Sequence, residues 1–429
     1  MFAKYFQISK FSNFDPKILK HNIIMHIGDG AGFAFAIGFI SPTTILPIFI
    51  EKIGGNAIAI GAIPILWTVG ANFPQFFFGQ QKYNEKLVKP VMLRYVIIHR
   101  ISFLVLGIFT FFFLEYIPST ILVPLVLALL CTTAILGSVP GPRWVTYFAK
   151  TTPTKLRGRL LSVRLLLSSA LGMIAGSVII VILSTFKYPH NFAILFFACF
   201  VFLMISYFFL KNVNEPEEKV REDNSPVKIK KFQKAVSLIK ENERLRNYLI
   251  ADSLLLISLT ASAFYEVYAI GKFQLPTSYA GSFTIILMGG MVLGNIIFGY
   301  IGDVFGHKVN LTIMAASLVL ANFTALISIN PLTYGIVFVF VAFAQGLQGV
   351  SRLAFIVELT GETNTTLYAS LLNSATAPTA IFGIIAGIII SFVGYPIVFG
   401  IYGLISIFAI YWIYKKVIDP RQVLTNEAA

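Results

Sequence analysis

Apolar residues in this chain fall in long runs separated by short clusters of charge, glycine, proline or asparagine. Runs of about 20 apolar residues are what a helix needs to cross a bilayer's hydrocarbon. The pattern predicts spans near 22–50, 57–79, 91–115, 119–148, 158–185 and 190–211, then near 246–272, 278–302, 308–328, 332–358, 366–393 and 395–416. Between the two sixes lies one long hydrophilic stretch. In it Phe232, Val236 and Ile239 recur at helical spacing among lysines, which fits a membrane-surface helix or a solvated connector. The expected fold class is an all-α membrane protein of twelve transmembrane helices in two pseudo-symmetric six-helix bundles. Its expected parts are an N-tail over 1–21, a bundle over 22–211, a linker over 212–245, a bundle over 246–416 and a C-tail over 417–429.

Composition agrees, with 57% hydrophobic and only 12% charged residues, against about 25% charged in a soluble domain. An ordinary cytosolic enzyme or a nucleic-acid binder is excluded. The net charge of +14 is a matter of topology. Lysines and arginines collect in the tails, the linker, the 2–3 loop (Lys82, Lys86, Lys89, Arg94) and the 4–5 loop (Lys150, Lys155, Arg157, Arg159, Arg164). The opposite side has Lys52, Lys187 and Lys272. Basic loops stay cytoplasmic, so both termini are expected on the cytoplasmic side of the cell membrane. Cys131 and Cys199 lie inside apolar spans, where no disulfide is expected, and the first twenty residues lack a cleavable signal.

The halves repeat one another. Gly61, Gly70 and Gly79 of span 2 are matched 220 positions later by Gly281, Gly290 and Gly299. Spans 5 (LGMIAGSVII) and 11 (FGIIAGIII) both carry GxxxG, a spacing that lets helix backbones pack closely. Arg143 and Arg352 hold matching places near the cytoplasmic ends of spans 4 and 10.

The stretch after span 8 reads GYIGDVFGHKVNL, with Gly299, Asp303, Gly306 and Lys308 at spaced positions. This resembles the loop signature of the major facilitator superfamily between helices 8 and 9. TPTKLRGRLLSVR, with Arg157, Gly158 and Arg159, is similar to that superfamily's loop 4–5. A glycine-bearing turn with a carboxylate at the membrane edge can meet a helix terminus or a basic partner in one conformation only. In the first half the corresponding loop departs from the pattern. Tyr83 stands at the aspartate's place and Lys86 at the second glycine's.

Ionisable residues inside spans cost roughly 2.5–3.5 kcal/mol on insertion scales and usually face a cavity or a partner. Asp29 and Asp252, and likewise Arg143 and Arg352, fall at similar depths, roughly 9–11 Å from the cytoplasmic side by helical rise. The resemblance places spans 1, 4, 7 and 10 around a central cavity, so these four are substrate or gate candidates, and an Asp29–Arg352 pair crossing between bundles is expected. The competing reading is arginines that only snorkel to phosphates. Arg100 reads as part of a structural pair with His99, and Glu266 as solvated near the outer face. Gln345, Gln348 and Arg352 share one face of span 10, and Asn373, Ser374, Thr376 and Thr379 open span 11 with Pro378. His26 and Asp29, three apart, are the candidates for carrying a coupling proton.

No phosphate-binding GxxxxGK[ST] and no HExxH occurs, and no cofactor, metal or catalytic residue is expected. The resemblance implies a monomeric secondary transporter of a small-molecule substrate, working in the lipid bilayer by alternating access. A sensor or lipid-handling protein of the same fold is the alternative.

Overall fold

The computed structural model describes Phe6 and residues 15–78, 86–217, 237, 239–360 and 365–421. Among them the regular structure is helical. Helix α1 (Pro16–Gly38) starts where the Asp15 carboxylate accepts from the Lys17 amide at 2.7 Å, with proline in the first turn, a position that needs no donor. It begins inside the predicted N-tail. It does not run on to residue 50: the chain breaks over Phe39–Thr44, where Pro42 cannot supply a helical N–H, and resumes as α2 (Ile45–Lys52). A turn with Gly54 at φ +90° leads to α3 (Ala57–Phe78), capped by Asn56, whose Oδ1 accepts from the Ala59 amide.

The first half continues with α4 (Lys89–Phe112), α5 (Ser119–Ser138), α6 (Gly141–Thr151), α7 (Thr154–Thr185) and α8 (His190–Lys211). Pro140 separates α5 from α6. The second half comprises α9 (Glu243–Leu259), a 3₁₀ turn over Thr260–Ala263, α10 (Tyr265–Phe273), α11 (Tyr279–Phe305), α12 (His307–Ile327) and α13 (Pro331–Thr360). After these come α14 (Thr365–Thr376), a 3₁₀ turn over Ala377–Ile381, α15 (Phe382–Val393) and α16 (Tyr395–Lys416). Ten helical stretches among the described residues are long and apolar enough to cross a membrane. The other two predicted spans are the broken first one and α3. The 32 residues of α7 extend about 48 Å, well beyond a hydrocarbon core of about 30 Å, so Arg157, Gly158 and Arg159 lie on helical turns rather than in a loop.

The chain packs as two compact units, Met1–Ser41 with Phe73–Val227, and Pro42–Asn72 with Lys228–Ala429. In the first, α1 lies on α7 and α8, and α4 on α8. Gly38 makes this approach possible, since a Cβ there would stand 2.8 Å from that of Ala175, within the GxxxG of α7. In the second, α13 lies on α11 and α12, α16 on α12 and α9, and α2 on α10. The GxxxG of α15 receives α3. A Cβ on Gly61 would strike the Gly383 carbonyl, and one on Gly387 the Ala57 carbonyl. Phe112, Ile121, Phe208, Phe392 and Leu404 point outward and are exposed, the apolar exterior expected of a body immersed in lipid.

The stretch predicted as a linker begins with structure. Residues 212–215 are clamped to the first unit: Glu215 accepts from the amides of Val88 and Lys89 at the head of α4, Lys150 stands 3.6 Å from it, and Asn22 exchanges two hydrogen bonds with Asn214. Phe232 and Val236 lie outside the described residues, as do Gly79 and Tyr83, while Ile239 packs on the core of the second unit.

Candidate functional site

Each unit buries an aspartate and pairs it with an arginine of the same unit. In the first, Asp29 of α1 is 4% exposed. Its Oδ2 accepts from Nη1 and Nη2 of Arg164, both at 3.0 Å, and its Oδ1 from the Ser206 hydroxyl at 2.7 Å. Arg164 also donates to the His26 carbonyl and lies over the Trp144 ring. Ser206 in turn accepts from Arg100, whose other terminal nitrogen donates to the Leu203 carbonyl. The result is a relay from Arg100 through Ser206 to Asp29 and Arg164, joining α4, α8, α1 and α7.

The glycines beside Asp29 belong to this packing. A Cβ on Gly28 would enter the Phe209 ring, and one on Gly30 would meet the Arg164 side chain. His26 is fully buried, with Nε2 2.8 Å from the Thr151 hydroxyl. That hydroxyl also lies 2.8 Å from the Tyr147 carbonyl, and Nδ1 of His26 has no hydrogen-bond partner. Arg143, predicted to answer Arg352, instead lies buried under the Tyr95 ring.

In the second unit, Asp252 of α9 is 3% exposed and accepts from Nε of Arg352 at 2.8 and 3.1 Å. The remaining nitrogens of Arg352 go to Asn373 Oδ1 at 2.8 Å and to the Thr376 hydroxyl at 2.6 Å. Its own carbonyl accepts from the Tyr248 hydroxyl. Arg352 therefore does not snorkel. In place of the expected Asp29–Arg352 pair, each aspartate is engaged by an arginine of its own unit, Asp29 by Arg164 and Asp252 by Arg352. Gln345 donates to the Thr43 hydroxyl at 3.2 Å, and the Thr44 and Thr284 hydroxyls are 2.7 Å apart. Gln348 is half-buried.

The turn after α11 rests on Gly306, at φ +89°, a conformation that favours glycine. Gly302 leaves room for His307 and Asn310, and Asn310 donates to the Phe298 carbonyl and to Ser351, tying α12 to α11 and α13. Asp303 is exposed and Lys308 half-buried. The basic partner of this turn comes from beyond α16: Arg421 donates to the carbonyls of Gly302 and Asp303 and, at 2.7 and 3.0 Å, to the Glu358 carboxylate. In the first unit Arg157 performs a related service, donating to the carbonyls of Ala149 and Thr152 at the end of α6, while Gly158 meets no neighbour and Arg159 is exposed.

Glu266 departs most from expectation. It is not solvated but fully buried on α10, and neither carboxylate oxygen has a hydrogen-bond partner.

The family model described as Major Facilitator Superfamily matches residues 30–377 and 253–428. No curated protein matches in sequence. Among solved structures, a D-xylose-proton symporter superposes with a TM-score of 0.71 at 14% identity, over 93% of this chain and 98% of that one. The xylose transporter XylE from E. coli, in a partially occluded inward-open conformation, gives 0.65 at 14% over 94% and 98%. The nucleoside transporter NupG gives 0.64 at 14% over 92% and 98%. At these identities the likeness is one of fold; with the family match spanning nearly the whole chain, the protein belongs to the major facilitator superfamily.

Proposed function

We propose that the protein is a secondary active transporter that carries a small polar organic solute across the cell membrane by alternating access, its two six-helix bundles rocking about the solute. The observation that carries this reading is the interruption of helices at membrane depth, over 39–44, 260–263 and 377–381. Backbone outside a regular helix is tolerated there only when buried in protein or lining a polar cavity, and transporters build solute sites from such breaks. These breaks gather hydroxyls and amides: Thr43 with Gln345, Thr44 with Thr284, and Thr376 with Arg352 and Asn373.

Because Asp29 and Asp252 are each neutralised within their own unit, the bundles can move as bodies without separating a buried charge pair. A site of amides and hydroxyls suits a solute rich in hydroxyl groups. D-xylose and nucleosides, the cargo named for similar structures, are the first to test. Proton coupling through His26 is part of the proposal, supported by its unpartnered Nδ1 beside the Asp29–Arg164 pair. The distribution of lysine and arginine supports cytoplasmic termini, and the protein is proposed to work as a monomer.

The test is a panel of sugars and nucleosides screened for thermal stabilisation of the purified protein, followed by counterflow in proteoliposomes with whichever solute stabilises it. Trans-stimulated exchange is expected. Binding with no exchange would favour the sensor reading.

A further inference from the structure

Phe6 lies ahead of α1, in the predicted N-tail, and yet is buried like a core residue. It is 2% exposed and joins a cluster with Leu19 and Ile23 of α1, Phe148 of α6, and Leu156 and Leu160 of α7, on which Trp144 of α6 also packs. One aromatic ring thus sits among three helices, all of them in the first unit.

The seat of that ring is connected to the Asp29–Arg164 pair. Trp144 and Phe148 are four apart, hence on one stripe of α6, and their rings stack with centroids 5.2 Å apart. The Arg164 guanidinium lies over the Trp144 ring at 5.2 Å, and the His26 ring meets Phe148 edge-on at 5.0 Å. A neighbouring stripe of α6 is tied by polar groups: the Tyr147 hydroxyl donates to the Leu210 and Val213 carbonyls, and the Thr151 hydroxyl stands 2.8 Å from Nε2 of His26. The helix is set off from α5 at Pro140, which supplies no helical N–H, so its place depends on what packs against these stripes. Burying one phenylalanine favours docking by about one to two powers of ten, before the entropy of ordering a tail is subtracted. A contact of that size holds the tail in place and still lets it go.

We propose that the tail ahead of α1 is an autoinhibitory strap with Phe6 as its anchor. Docked, it fixes α6 against α1 and α7, and with α6 the rings that carry Arg164 and His26; released, it frees α6 to move. That the strap restrains transport rests on the alternating-access reading, whereas docking and its effect on α6 can be measured with no solute at all.

The test uses the full chain in nanodiscs with a protease site inserted between Phe6 and Asp15, so that the tail is cut and washed away only after folding. Deuterium uptake by the amides of Gly141–Thr151 is expected to rise on cutting by about tenfold. It should fall again when a synthetic peptide of residues 1–14 is added, and not when that peptide carries Phe6→Asp. In uncut chains Phe6→Asp should raise uptake, and Phe6→Leu should stay near the unmodified level. In proteoliposomes, cutting should raise counterflow by a similar factor and the unmodified peptide should lower it. Unchanged uptake on cutting, or equal protection by the two peptides, would overturn the proposal, as would counterflow that is unchanged or lowered by cutting while uptake rises. Absence of counterflow in both cut and uncut protein, with uptake responding as expected, would count against the transport reading alone.

Discussion

Arg164 lays both terminal nitrogens, each at 3.0 Å, on a single carboxylate oxygen of Asp29, leaving the other oxygen to Ser206. The side chains are 14% and 5% exposed, so the pair is largely desolvated. Removing one partner leaves an uncompensated buried charge, which costs about 3–5 kcal/mol, whereas replacing both with apolar groups can be near neutral. Asp29→Asn is expected to lower thermal stability in detergent by an amount in that range, and Asp29→Leu with Arg164→Leu should recover most of it.

Arg352 belongs to a separate network. Residues that share no partner combine additively, and those in one ion pair do not. Asp252→Asn with Arg352→Gln should therefore cost less than the sum of the single changes. Asp29→Asn with Arg352→Gln should equal the sum. Unfolding midpoints of the singles and doubles check both statements; strong coupling between Asp29 and Arg352 would mean that the bundles exchange these partners.

Arg421 and Glu358 are 38% and 22% exposed at their side chains, and pairs this open to solvent contribute little stability, about 0–1 kcal/mol. The effect of Arg421→Ala is expected in transport rate, because the guanidinium fork joins the end of α11 to the end of α13. Lysine, a compact point charge without arginine's planar fork, should not restore the rate. Wild-type flux in Arg421→Lys at equal expression would show that charge alone suffices.

The meeting of Gly61 with Gly383 leaves no room for a side chain. Gly61→Val should force α3 away from α15 and raise the labelling of cysteines placed along that contact, with little change in insertion. Unchanged labelling would mean that the helices are held apart from one another in the membrane.

Much of this could be read from the chain. Apolar runs located the spans because each must match the bilayer, and Asp29 and Asp252 stood out because charge is rare there. Pro378 announced its interruption, whereas the predicted span 22–50 ran straight through the break at Pro42. The Thr260–Ala263 break gave no sign in the sequence, since no glycine or proline marks it. The partner of Asp29 stayed hidden because Arg164 was counted among the basic residues of the 4–5 loop, whereas α7 starts at Thr154 and carries it as helix, with its guanidinium on α1. Arg421 was concealed for a similar reason, since a tail residue gives no sign that it folds onto α11. Glu266 looked solvated because its place near a span end says nothing of the packing that buries it.

The Thr44 and Thr284 hydroxyls, 2.7 Å apart, lie within the second compact unit yet join the chain of the first predicted span to that of the eighth, so the proposed rocking of bundles 22–211 and 246–416 opens this contact in every cycle. The direct test is counterflow by a Thr44→Cys, Thr284→Cys protein in a background without Cys131 and Cys199. Oxidation to the disulfide should abolish exchange, and reduction should restore it to the level of the unmodified background. Exchange at an undiminished rate in the fully oxidised protein would contradict transport by opening of this contact.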